Sequence, residues 1–142
     1  MPDVRYHDTV INGVPVVATP AEIDITNADG LRVALFKAAA TRPGTIVVDM
    51  TRTQFCDSSG LHTLIAAHKR ARADDRELLL VLSGAAVLRV FAITGMDEVI
   101  PNFTSLDEAL TAAAAIAQDG SCPGKEAHAL AEQQPVQRAA CR

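Results

Sequence analysis

Apolar residues fall into two spacings along this chain: short unbroken runs, and longer stretches at helical period. Thr45-Ile46-Val47-Val48-Asp49-Met50 and Leu78-Leu79-Leu80-Val81-Leu82 are unbroken at their centres and rich in branched side chains, the composition of strands buried on both faces. Between them Leu61, Leu64, Ile65 and Ala71 recur with helical spacing, and His62, His68, Lys69, Arg70 and Arg72 are read as lying mostly off that face. The intervening Phe55-Cys56-Asp57-Ser58-Ser59-Gly60 is then a turn from a strand into the start of a helix.

The same pattern extends in both directions. Residues 4–11 and 14–19 read as two strands joined by Asn12-Gly13, a strong hairpin signal, with Pro15 suited to an edge or to the start of the second strand. A helix beginning at Asp24 or Thr26 runs to about Ala40, buries Leu31, Val33, Ala34, Leu35 and Ala38, and is broken by Thr41-Arg42-Pro43-Gly44. Downstream, a short helix through Ala86 and Phe91 closes at Thr94-Gly95, and Val99-Ile100 is expected as a brief last strand stopped by Pro101. Thr104-Ser105-Leu106-Asp107-Glu108 places capping hydroxyls and early acids at the start of a final helix reaching about Gln118. The order predicts an α/β domain over residues 1–118, with a mixed central β-sheet, an antiparallel N-terminal hairpin and about four helices. From residue 119 the chain turns to Gly, Ser, Pro, Lys, Glu and Gln with scattered alanine, so 119–142 is read as a flexible tail.

Composition narrows the function classes. A chain of 142 residues can bury a core as one domain, and 4% aromatic content without Trp argues against an aromatic platform for carbohydrate or single-stranded nucleic acid. A net charge of −4 offers no general attraction to nucleic acid or to anionic membrane. No run approaches the roughly 20 apolar residues of a membrane span, and no signal-like segment opens the chain, so a cytoplasmic protein with neither nucleic acid nor membrane as partner is expected. Cys56, Cys122 and Cys141 form neither a close pair nor a metal-ligand spacing; Cys56 is expected to pack at a strand end. No cofactor or metal motif is present in the sequence.

The chemistry therefore concentrates at Asp57-Ser58-Ser59-Gly60. Asp57, Ser58 and Ser59 are all residue types that cap helices, and Gly60 in the first turn implies close approach or an unusual backbone angle. The serines have three readings: caps, regulatory phosphorylation sites, or nucleophiles. The last lacks an evident base and a Gly-x-Ser-x-Gly elbow, with His62 and His68 read as exposed or partly packed. Asp24 is a helix-cap or partner-surface candidate, and Asp49 either orients the nearby loop or caps a turn. Lys69, Arg70, Arg72 and Arg76 complement the dipole at the second helix's end, while Gly84 and Gly95 serve turns.

Val47-Val48-Asp49 followed by Phe55-Cys56-Asp57-Ser58-Ser59-Gly60-Leu61 resembles the signature of the STAS domain in bacterial anti-sigma factor antagonists. Ala21-Glu22-Ile23-Asp24 is similar to the family's Gly-Glu-Leu-Asp segment, with Ala21 in place of the usual glycine. Ala85 to Phe91, Thr94-Gly95-Met96 and Val99-Ile100 resemble its later elements, so the likeness spans about residues 4–117. The resemblance implies a non-enzymatic partner switch. The free antagonist binds an anti-sigma factor, often a GHKL-type serine kinase, which phosphorylates the first serine of the motif; a serine phosphatase restores the binding form. That serine falls on Ser58, with Ser59 as the alternative, and the implied partner-binding set is Glu22, Asp24, Asp57, Ser58, Ser59, Gly60 and Leu61. STAS domains also occur as small-molecule or nucleotide-sensing modules, the competing expectation. Phosphorylation would add about −1.5 to −2 charge at pH 7.

Overall fold

The computed structural model describes residues 6–119. Asn12 and Gly13 both take positive φ, 53° and 81°, as a two-residue turn matched to strand twist requires, and they join β1 (His7–Ile11) to β2 (Val14–Ala18) antiparallel. Pro15 stands at the start of β2, opposite Val10 and ahead of the ladder to the next strand, which begins at Val16. The remaining strands, β4 (Ile46–Asp49), β6 (Leu78–Val81) and β7 (Asn102–Phe103), add in parallel to give the order β1-β2-β4-β6-β7. Two further short strands, β3 (Glu22–Ile23) and β5 (Phe55–Cys56), pair in parallel as a separate ribbon.

The unbroken apolar runs are explained by burial on both faces. Val17, Val48 and Leu80 face a core closed by α1 (Ala28–Thr41), α2 (Ser58–Ala73) and α3 (Ala85–Thr94). Val16, Val47, Leu79 and Val81 pack instead on Ala109, Leu110 and Ala113 of α5 (Leu106–Asp119). Among the described residues the four expected helices are present, joined by a fifth, the single turn α4 (Met96–Val99).

Three expectations are corrected by local hydrogen bonding. Helix α1 starts at Ala28 after Asn27, because the Asp24 carboxylate accepts from Thr26 N and both residues are committed to a turn. Val99-Ile100 is not a strand: Gly95, at φ 78°, ends α3, α4 follows, and Ile100 N donates to Met96 O. Pro101 opens β7 rather than stopping it, since its carbonyl accepts from Leu80 N. Arg76, assigned above to the end of α2, serves the end of α1, donating to Ala39 O at 2.8 Å and Gly44 O at 2.9 Å.

A further correction concerns His68. The buried stripe of α2 is Gly60, Leu64, His68 and Ala71, so the imidazole lies on the core face. Burial pushes its pKa down from 6.5 to about 4, and the Arg72 guanidinium beside it acts in the same direction. The folded state therefore keeps His68 neutral and binds fewer protons than the unfolded chain. Its contribution is present above pH 6.5 and lost as pH falls towards 4. Burial of Glu77 works oppositely, raising its pKa to about 7 against the lowering effect of Arg72, so its contribution is lost as pH rises through 7. In urea titrations between pH 7 and pH 4.5, His68→Leu is expected to lose less stability than wild type; parallel losses would contradict the assignment.

Candidate functional site

The β3/β5 ribbon brings together two segments more than thirty residues apart. Ile23 pairs with Cys56 and Glu22 with Phe55, and Asp57 N donates to Ile23 O at 3.0 Å. Alternation along two-residue strands buries Ile23 and Cys56 and leaves Glu22 and Phe55 outside. The ribbon is anchored from below by Thr53, fully buried, whose hydroxyl donates to Pro20 O and meets the Thr19 hydroxyl.

Asp57 caps α2. Its Oδ1 accepts from Ser59 N at 2.9 Å and Gly60 N at 3.1 Å, and its Oδ2 accepts from Ile25 N at 3.2 Å. One carboxylate thus ties the helix start to the β3–α1 loop. Neither serine caps the helix, contrary to the role given to Ser59 by its residue type. Ser58 occupies the first helical position, exposed, and its hydroxyl makes no hydrogen bond among the described residues. Ser59 follows half-buried, with its carbonyl accepting from the Thr63 hydroxyl.

Gly60 answers the choice between backbone freedom and close approach. It is helical and buried, and a Cβ there would sit 2.6 Å from Cys56 Sγ and 2.7 Å from Ile23 Cγ2. The absent side chain lets α2 lie directly on the ribbon. Leu61 is half-buried against the core, so less of it is presented outwards than of Ser58 or Glu22. Asp24 holds the β3–α1 turn, and Asp49 Oδ1 accepts from Thr51 N and Oγ1, a turn cap. The Cys56 thiol is pushed up to about 12 by burial first and the neighbouring Asp57 charge second, so it stays a thiol.

His62 lies one turn along from Ser58 with no hydrogen bond between them, and His68, ten residues on, is about 15 Å away along the axis at 1.5 Å per residue. His68 is therefore out of reach of Ser58. A separate cleft of about 220 Å³ opens between β1 and α1, lined by Tyr6, His7, Asp8, Gly30, Val33, Ala34 and Lys37. Among the described residues no helix is long and apolar enough to cross a membrane, and no group of His, Cys, Asp and Glu could hold a metal ion. Cys122 and Cys141, and the tail expected from residue 119, lie outside the described residues except for Asp119.

Known proteins similar to this chain share its fold. A family profile described as the STAS domain matches residues 6–109. The chain belongs to the STAS-domain family. This STAS domain is 30% identical over 100 residues to the anti-sigma-F factor antagonist RsfB of Mycobacterium tuberculosis, covering 70% of the present chain and 81% of RsfB. It is 31% identical over 80 residues to the anti-sigma-B factor antagonist of Listeria monocytogenes, 56% of this chain and 69% of that one. The crystal structure of an anti-sigma factor antagonist from Mycobacterium paratuberculosis superposes with a TM-score of 0.70 at 31% identity, covering 76% of this chain and 92% of that one.

Two residues at the site carry signals that the residue types alone did not rank. Ile25 lies between the turn-forming Asp24 and Thr26, and Phe55 opens β5. Both are exposed. Removing the cap is expected to be costly: Asp57→Ala should destabilise the fold by about 1–2 kcal/mol in chemical denaturation, whereas Asp57→Asn, which keeps one capping oxygen but turns an amide donor towards Ile25 N, should lose about half as much. Equal losses for the two variants would mean that the charge or the bond to Ile25, rather than the cap on Ser59 N and Gly60 N, dominates.

Proposed function

We propose that this STAS domain is an anti-sigma factor antagonist whose binding to its anti-sigma factor is switched off by phosphorylation of Ser58. The observation that carries the reading is the exposed, unbonded Ser58 hydroxyl at the start of α2, beside two first-turn N–H groups already taken by Asp57. A phosphate on Ser58 therefore finds Ser59 N and Gly60 N occupied and a carboxylate alongside. Its charge is directed outwards, onto whatever docks there. The fold tolerates the anion at an exposed helix start, where the dipole offsets roughly 0.3–1 kcal/mol, and the docked partner does not.

The names of the relatives support the antagonist role, and the greater exposure of Ser58 than Ser59 supports the choice of acceptor. The partner is an anti-sigma factor with GHKL-type serine kinase activity, and a serine phosphatase regenerates the binding form in the cytoplasm. The surface it reads comprises Glu22, Asp24, Asp57, Ser58 and Ser59, with half-buried Leu61 at its edge, while Gly60 is buried against the ribbon and supports that surface from beneath. Incubation with that kinase and ATP, followed by mass-spectrometric mapping, is expected to place the phosphate on Ser58 and none on Ser58→Ala. Modification confined to residues other than Ser58 and Ser59 would overturn the switch.

A further inference from the structure

Ile25 is 77% exposed, yet its loop is among the most tightly framed on this face. Ile25 N donates to Asp57 Oδ2, Thr26 N to Asp24 Oδ1, Asp24 N to Asn27 Oδ1, and the Asn27 side-chain amide to Glu22 O. Asn27 is itself buried, so the frame is fixed from below. Such bonding gives a rigid loop whose one large apolar side chain points into solvent. Phe55, 51% exposed, stands on the paired strand opposite Glu22. Exposed apolar residues are common singly and need no explanation. Phe36 and Ile93 are such cases, on α1 and α3, outside the β3/β5 ribbon and the loop bonded to Asp57.

We propose that Ile25 and Phe55 are the apolar anchors of the docking surface and seat in an apolar pocket of the anti-sigma factor rimmed by lysine or arginine. The inference rests on the antagonist reading above: Ile25 N is bonded to Asp57, the residue before Ser58, and Phe55 lies two residues before Asp57 on the strand paired with Glu22. The local charge selects the rim. Segments 20–27 and 53–60 carry Glu22, Asp24 and Asp57 and not one lysine or arginine. An apolar centre with charge at its edge is the arrangement in which a few side chains carry most of the binding energy. The pinned loop backbone has little freedom left to lose on docking, so only the Ile25 side-chain rotamers remain to be ordered there. Asp57 is a positioning residue here, holding the anchor and the switch serine in register.

The test titrates the purified anti-sigma factor that phosphorylates this chain against the full-length chain and its variants, with melting temperatures measured in parallel. Ile25→Ser and Phe55→Ser are each expected to weaken binding at least about tenfold with melting temperature preserved, while Ile25→Leu stays within about threefold. Glu22→Lys should slow association and reduce its salt dependence. Wild-type affinity in both serine variants, with binding still lost in Ser58→Glu, would overturn the anchor assignment and leave the antagonist reading standing. Equal binding by wild type and Ser58→Glu would remove that reading, and the anchors with it. If sedimentation shows a wild-type dimer abolished by Ile25→Ser while partner affinity is unchanged, the patch is an interface between copies, which also overturns the proposal.

Discussion

Gly60→Val is expected to lower stability by more than about 3 kcal/mol and to leave the domain largely unfolded at 37 °C. A Cβ alone would lie 2.6 Å from Cys56 Sγ and 2.7 Å from Ile23 Cγ2, about 1 Å inside ordinary contact. Neither neighbour can retreat, because Ile23 is wholly buried, Cys56 nearly so, and the two are paired in the ribbon. Alanine is the gentler probe. It gains about 1 kcal/mol of helix propensity over glycine and loses about 1–3 kcal/mol to overpacking, so Gly60→Ala should be destabilising by up to about 2 kcal/mol. The clash has a named partner, and this makes it testable. Cys56→Ala removes the nearer atom and should recover part of the loss in Gly60→Ala, a coupling visible in a double-mutant cycle by urea denaturation. Additive losses would show that the close approach is not what glycine is for.

Ser58→Glu is expected to weaken anti-sigma factor binding about a hundredfold or more, with little change in stability. The variant places a carboxylate beside Asp57 at the exposed first position of α2, where the fold has room for it. At a closed interface the same charge must shed water next to another anion. Leaving a charge unpaired at an interface costs roughly 2–5 kcal/mol, and 2.7 kcal/mol is already a hundredfold. Ser58→Ala removes one hydroxyl and no charge, so it should bind within about tenfold of wild type while being refractory to phosphorylation. Loss of binding in both variants would point to the hydroxyl's own hydrogen bond, rather than charge, as the determinant.

The hairpin, the two-faced strands and the four longer helices were legible because each rests on a signal contained within about ten residues. Asn12-Gly13 demands positive φ wherever it occurs, and the Ile46–Asp49 and Leu78–Val81 runs have no polar face to expose. The two-residue strands β3 and β5 show no such signal, being shorter than one period of alternation and paired across more than thirty residues. Their association is what builds the site, so the geometry joining Glu22 and Asp24 to Ser58 was legible only through resemblance. Three adjacent cap-type residues at 57–59 could not be ranked by type, and Asp57 prevails because its second oxygen also meets Ile25 N. His68 was misplaced because its residue type outweighed its position, four residues after Leu64 on the buried stripe.

On the proposed switch, one phosphate on Ser58 decides whether the partner stays bound. Calorimetric titration of the purified anti-sigma factor with unmodified chain, and with chain phosphorylated stoichiometrically at Ser58, measures it directly. A saturable complex is expected with the unmodified chain, and an affinity at least about a hundredfold lower with the phosphorylated one. Equal affinity for the two forms would contradict it.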